Sequence, residues 1–296
     1  MAATRKAGKN FNRLLVGEWT LVLDAKNIPY ILIRQKGFTL LFVPPLFANR
    51  ACSEICSFLK EPPLKSKLKA AKNPASIQPV FLALLALVLW HALRMGWWGG
   101  FGITPEEWLE KGSLNAGGFI GKGEWFRVVT SLTLHVDAEH LLGNCLFGGI
   151  VLVVLSLRIG ALNALCLSFL SGIAGNLLAV FLRMGSDYSS VGSSTALFGA
   201  MGVLCGLAIA LRDTVGWQRI FFPLAAGLSW LAFLGMEGVR VDILAHVTGL
   251  ASGMIVGVFV PKFFKDALIP SRVSVGLSLF CVFLIALAWR AALNAG

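Results

Sequence analysis

Apolar positions in this chain gather into seven long runs with short polar breaks, behind a leader of shorter runs and turn signals. The long runs extend from about Gln78 to Trp98, His140 to Leu157, Ala161 to Leu182, Ser194 to Leu211, Trp217 to Met236, Val241 to Val260 and Val273 to Trp289. Each has about the length that an α-helix needs to cross the hydrocarbon layer of a bilayer, roughly 18 residues or more. The pattern therefore predicts an all-α polytopic membrane protein. In the leader, Trp19 to Leu23, Tyr30 to Ile33 and Phe38 to Val43 are short β-prone runs, parted by turn-like residues at Asp24 to Asn27 and at Gln35 to Gly37. After Pro44-Pro45 the stretch from Ala48 to Leu59 predicts a helix, which Pro62-Pro63 ends. Residues 1–75 thus read as a small α+β domain with a basic linker. It is too short for a large core and carries no catalytic constellation.

Composition sharpens this picture. The chain is 56% hydrophobic and only 14% charged, against about 25% charged residues in an ordinary soluble domain. The net charge of +11 invites a nucleic-acid reading, but much of the excess flanks membrane segments, where anionic lipid is the natural counter-charge. The linker from Leu64 to Lys72 is dense in Lys and is expected to lie against lipid headgroups. That linker falls on one side of the membrane with Arg158, Arg212, Arg219, Lys262, Lys265 and Arg272. A thinner set, including Lys111, Lys122, Arg127 and Arg183, falls on the other side. The asymmetry predicts a cytoplasmic N-terminus and an outside C-terminus. No hydrophobic signal-peptide segment is evident at the start. The loop from Gly99 to Thr133 is rich in Trp and Phe, including Trp108, Trp125 and Phe126, and is expected at headgroup level. The six Cys show no paired framework and read as structural or incidental.

Chemistry concentrates at three span ends, all on the outside in this topology. His135, His140 and Asn144 form the first cluster, with His140 and Asn144 one turn apart on one helix face. Such side chains can donate hydrogen bonds to a developing oxyanion. Ser193 and Ser194, at the mouth of the fourth run, form the second; Asp242 and His246, at the mouth of the sixth, form the third. A hydroxyl nucleophile needs a base, and neutral imidazole is the usual one. Each residue also has a plainer use. A Ser at a helix start commonly caps it, Asn144 could join helices, and Asp242 is better suited to capping than to catalysis. Ala245, Gly249, Gly253 and Gly257 recur every four residues on the sixth run, and Ala196, Gly199, Gly202 and Gly206 offer small surfaces on the fourth. Close docking of two such helices would bring hydroxyl and imidazole within reach of each other.

In this order and topology the clusters resemble the rhomboid family of intramembrane serine proteases. The resemblance rests on His135, His140 and Asn144, then Gly192 and Ser194, then Ala245, His246 and Gly249. Trp125-Phe126-Arg127 is similar to a Trp-Arg element in the family's first loop, with one residue intervening. The likeness covers about residues 76–262. It implies a six-helix protease core there and one additional transmembrane helix in residues 263–296. It also implies a dyad of Ser194 as nucleophile and His246 as general base, with an oxyanion hole from His140, Asn144 and the Ser194 N–H. Phe198 would stack on the catalytic imidazole. His135, Gly192, Asp242 and Gly249 would support the site. Substrates would be other membrane proteins, cut in or near a transmembrane segment, with no metal or nucleotide needed. A bacterial cytoplasmic membrane is the expected location. Thr195 stands where the family commonly has Gly, and a β-branched residue there restricts the backbone. A weak or inactive relative that binds membrane clients is the competing class. A zinc protease would need His-Glu-x-x-His, which the chain lacks. A transporter would show internal repeats, and none is visible.

Overall fold

The computed structural model describes residues 12–35, 38–60, 76–96, 102–186, 188–211, 242–264 and 269–295. The predicted fifth run, Trp217 to Met236, lies outside them, as do the leader's Pro62-Pro63 and the aromatic residues Trp97, Trp98 and Phe101. Two compact units are present, Met1–Ala70 and Ala71–Gly296.

The first unit contains helix α1 (Asn12–Ala25), the antiparallel hairpin β1 (Ile31–Gln35) and β2 (Phe38–Phe42), and helix α2 (Ala48–Lys60). Its core gathers Leu23, Ile28 and Ala51. The expected strand at Trp19 to Leu23 is instead the last part of α1. In a strand, residues 19, 21 and 23 would share a face. Burial follows the helical spacing: Leu23 is fully buried and Trp19 and Val22 half-buried, while Leu21 is 68% exposed. The other two β-prone runs form the hairpin, with Ile31 opposite Phe42 and Ile33 opposite Leu40.

The second unit is helical. Among the described residues, four helices are long and apolar enough to cross a membrane: α6 (Ala138–Ile159), α7 (Ala161–Leu182), α9 (Ile243–Phe263) and α10 (Ser271–Asn294). Helices α3 (Gln78–Arg94) and α8 (Ser194–Ala210) are apolar but shorter. Between α3 and α6 lie α4 (Pro105–Gly112), strand β3 (Leu114–Asn115), a π-turn at Gly117–Gly121 and α5 (Arg127–Thr130). Strand β4 (Ser189–Ser190) precedes α8. The first run was expected to reach Trp98, yet α3 stops at Arg94. There the Met95 N–H turns back to the His91 carbonyl and Gly96 takes φ +78°. Gly160, at φ +86°, is shared by the end of α6 and the start of α7, a conformation only glycine adopts freely.

Helix α8 is the centre of this unit, with most of its residues buried. Its polar mouth is the only break in an otherwise apolar helix, so the fold turns that mouth toward the site. On one flank it meets α9 along a seam of glycines. A Cβ at Gly253 would stand 2.7 Å from the Gly199 carbonyl carbon, and one at Gly202 would stand 2.7 Å from the Met254 nitrogen. Neither leaves room for a methyl. A Cβ at Gly175 on α7 would stand 2.7 Å from the Gly249 Cα and 2.9 Å from the Thr195 Cγ2. Three helices therefore meet at backbone distance beside Ser194.

The segment from Gly102 to Asp137 forms a packed cap in which several of its aromatic rings turn inward. Trp108 and Phe126 are 3% and 5% exposed. Trp108 meets Trp90 of α3 and Trp289 of α10, with all three ring centroids 5.1–5.3 Å apart. Trp125, at 42% exposed, stays outward. Aromatic rings bury large area once a neighbour is available, and the ends of α3 and α10 supply that neighbour. Arg127 fastens the cap, pairing with Glu124 at 2.5 Å and donating to the Glu110 and Ser113 carbonyls, each at 2.8 Å.

Candidate active site

Ser193 is the N-cap residue of α8 but has helical dihedrals and makes no side-chain cap bond. Its hydroxyl lies 3.2 Å from His135 Nε2. Ser194, the first residue of α8, has its Oγ 2.8 Å from His246 Nε2 on α9. Neither Ser therefore serves the plain capping use. His246 is buried, and Phe198, one turn beyond Ser194, stacks on its ring with centroids 4.4 Å apart and planes 15° off parallel. The seam of glycines sets this distance, because it brings the axes of α8 and α9 close enough for a short hydroxyl to reach an imidazole. His246 Nδ1 is buried without a partner among the described residues.

On the opposite flank, His140 and Asn144 lie in the first turns of α6, whose N-cap Asp137 accepts from the His140 N–H at 2.7 Å. Gly192 takes φ +133°, and its N–H donates to the Ser131 carbonyl at 3.0 Å. A Cβ there would stand 2.8 Å from His140 Cε1, 3.0 Å from His140 Nε2 and 3.5 Å from Ser194 Oγ. Gly192 thus keeps open a small space bounded by an imidazole and a hydroxyl, a space any other residue would fill. Asn144 Nδ2 is buried with no acceptor among the described residues, so it does not join helices here. A buried unpaired donor costs about 1–3 kcal/mol and is retained where it serves a ligand or a transient charge.

His135 is fully buried, its ring edge-on to His140 with centroids 5.2 Å apart. Its Nε2 also faces the Ser193 N–H at 3.4 Å. Burial holds its pKa well below the ordinary histidine value, helped by His140, His91 and Arg94 nearby. It is a neutral support beneath the turn that leads into α8.

Asp242 caps α9, accepting from the Ala245 N–H at 3.1 Å. It also pairs with Arg183 at 3.0 Å and accepts a short hydrogen bond from the Tyr188 hydroxyl. Burial first, then the Asp242 carboxylate, raise the Tyr188 pKa above its ordinary value. The Asp242 carboxylate is thus taken up by the helix end and its neighbours. Gly249 meets the Thr195 backbone and the Thr195 Cγ2, the latter 3.0 Å from where its Cβ would be. Thr195 itself is buried in that three-helix contact.

Sequence reading missed Tyr188, Arg94 and His91. Tyr188 had no local pattern to betray it. Arg94, a charge at the end of an apolar run, offered a signal that went unused, since ionisable groups in such helices carry function by default.

Fold and site together define a helical membrane protein in which a hydroxyl–imidazole pair faces a histidine and an unpaired amide donor. The Rhomboid domain family model matches residues 122–263, a range that holds every one of these groups. The chain is 28% identical over 138 residues to YdcA of Bacillus subtilis (strain 168), covering 46% of this chain and 67% of that protein. It is 29% identical over 156 residues to Rhomboid protease GluP of the same organism, covering 51% of this chain and 29% of GluP. With Rhomboid-like protease 5 of Toxoplasma gondii it shares 32% over 156 residues, 52% of this chain and 18% of that protein. The matched part is thus a small share of the two longer relatives. No solved structure matches the chain significantly. The chain thus carries a Rhomboid domain at residues 122–263 and is similar to curated rhomboid proteases.

Proposed function

We propose that this protein is an intramembrane serine endopeptidase that cleaves membrane-protein substrates in or near their transmembrane segments. The observation that carries it is the 2.8 Å approach of Ser194 Oγ to His246 Nε2, under the stacked Phe198 ring. Ser194 Oγ attacks the scissile carbonyl carbon as its proton passes to His246 Nε2. The charge that develops on the carbonyl oxygen falls to the Ser194 N–H, a first-turn donor without an intrahelical acceptor, and to the side chains of His140 and Asn144. Collapse of the tetrahedral species breaks the C–N bond, and His246 returns the proton to the leaving amine. Water then hydrolyses the acyl ester, with His246 taking and returning a proton again. Asp242 has no part in these transfers, which makes the site a dyad.

The remaining expectations belong to the same proposal: seven spans, a cytoplasmic N-terminus, a bacterial inner membrane, anionic lipid at the basic linker, and the first unit as a cytoplasmic module. Thr195 fits beside Gly175 and Gly249 without displacing Ser194, so the client-binding alternative gains no support from it.

The test is cleavage of a model transmembrane substrate by the full chain in liposomes. Ser194→Ala and His246→Ala each lower the rate by a factor on the order of 10³ or more, whereas Ser193→Ala stays within several-fold. Undiminished cleavage by Ser194→Ala overturns the proposal.

A further inference from the structure

Arg94 is 2% exposed at the end of α3, and its hydrogen-bond partners among the described residues are two carbonyls and a histidine. Its guanidinium donates to the Pro105 carbonyl at 3.1 Å and to the His135 carbonyl at 2.5 Å, and Nη2 lies 3.3 Å from His91 Nδ1. A buried cation held by carbonyls is expensive to keep. What it holds is the residue beneath the nucleophile's turn. The Ser193 N–H points at His135 Nε2 at 3.4 Å, the Ser193 hydroxyl lies 3.2 Å from the same nitrogen, and Nδ1 is buried without a partner among the described residues. An Nε2 that accepts from the Ser193 N–H carries the ring proton on Nδ1. Ser193 immediately precedes Ser194, and its carbonyl accepts from the Ala196 and Leu197 N–H groups in the first turn of α8. Arg94, His135, Ser193 and Ser194 thus form one mechanical series from α3 to the nucleophile.

We propose that Arg94 is a positioning residue for the Ser194 site: it fixes the His135 backbone and keeps its ring an acceptor for the Ser193 N–H, and so sets the turn that presents the nucleophile. The inference rests on the proposed Ser194 chemistry. Protonated His135 would turn Nε2 into a second donor against the Ser193 N–H, and the turn would lose its anchor. Charges and titrating groups around His135 are His91 and Arg94 from α3, Glu106 beyond Arg94 on α4, and Asp137 and His140 at the start of α6. Burial first, then His140, His91 and Arg94, oppose the proton on His135. The folded state therefore binds it less readily than the unfolded chain does. Stability contributed this way is full above about pH 6.5 and is lost as pH falls toward the depressed value.

The chain has four histidines, which makes a direct experiment practical. The full chain, with labelled histidine and in lipid nanodiscs, is followed by ring ¹³C and ¹⁵N shifts against pH, the His135 signal being assigned by its loss in His135→Asn. The expected result is an Nδ1–H tautomer for His135 that resists protonation. Arg94→Gln should raise its midpoint through loss of the like charge, and Arg94→Lys should restore it. Substrate cleavage should follow: in Arg94→Gln the acid limb moves up with the midpoint and kcat falls while KM holds. An Nε2–H tautomer in the wild-type chain overturns the inference even if Arg94→Gln fails to fold, and so does an unmoved midpoint in a folded Arg94→Gln. The two claims fail separately. Undiminished cleavage by Ser194→Ala would sink the proposed chemistry without altering the imidazole readout.

Discussion

Between α8 and α9 the helices meet where a Cβ at Gly253 or Gly202 would strike main-chain atoms. In the cap from Gly102 to Asp137, contact is made instead by Trp108, Phe126 and their partners Trp90 and Trp289. Along its glycines the first joint sets main chain against main chain, whereas the second is nearly all side chain. Backbone-to-backbone packing fixes an interaxial distance with little freedom, since no rotamer can yield. Aromatic packing buries more surface but can relax around a change. The proposed dyad lies on the first kind of joint, where a shift of about an ångström would break the 2.8 Å contact between Ser194 and His246. The cap sits on the second kind, where a modest shift leaves that pair untouched.

The largest effect is expected from filling the seam. Gly253→Leu should destabilise the chain by upward of about 3 kcal/mol through overpacking and abolish covalent labelling of Ser194, read by thermal unfolding in detergent and by probe incorporation. Gly276→Leu is the control, in another apolar helix but with no atom of another element among the described residues within 4 Å of its Cβ position. It should stay within about 0.5 kcal/mol of the parent. Next comes the cap. Trp289→Ala, which also loses the bond from Trp289 Nε1 to the Thr133 hydroxyl at 3.0 Å, should cost about 3 kcal/mol of stability. Labelling per folded molecule should stay within about threefold of the parent, since distant sites act independently. A collapse of labelling at a temperature where this variant remains folded would erase the contrast between the joints. The smallest effect concerns Thr195. Thr195→Ser removes only the Cγ2 that rests between Gly175 and Gly249, so it should cost about 1 kcal/mol or less and leave the cleavage rate nearly unchanged.

The seam was readable before any coordinates because small residues every four positions on one run and matching ones on another have a single use in a membrane helix. Ser194 and His246 stand at the mouths of those runs, but the choice of Ser194 over its neighbour Ser193 came only from the resemblance to the rhomboid motif. The cap was not readable. Its aromatics show no helical or strand period, and their partners are remote: Trp289 is 181 residues beyond Trp108. Helix α1 was misjudged because Val and Thr favour strands by propensity, while the tertiary choice fell on the face shared by Trp19, Val22 and Leu23. Arg94 stands out in the sequence as a charge at the end of an apolar run, but its role does not. Its contacts at Pro105 and His135 belong to segments that only the fold brings together.

The central claim is that Ser194, activated by His246, is the nucleophile. The most direct measurement is intact-mass and peptide mapping of the detergent-solubilised chain after reaction with a fluorophosphonate, which bonds to an activated serine oxygen. A single adduct on Ser194, absent in His246→Ala and retained in Ser193→Ala, is the expected result. An adduct on Ser193 instead, or Ser194 labelling undiminished in His246→Ala, would contradict it.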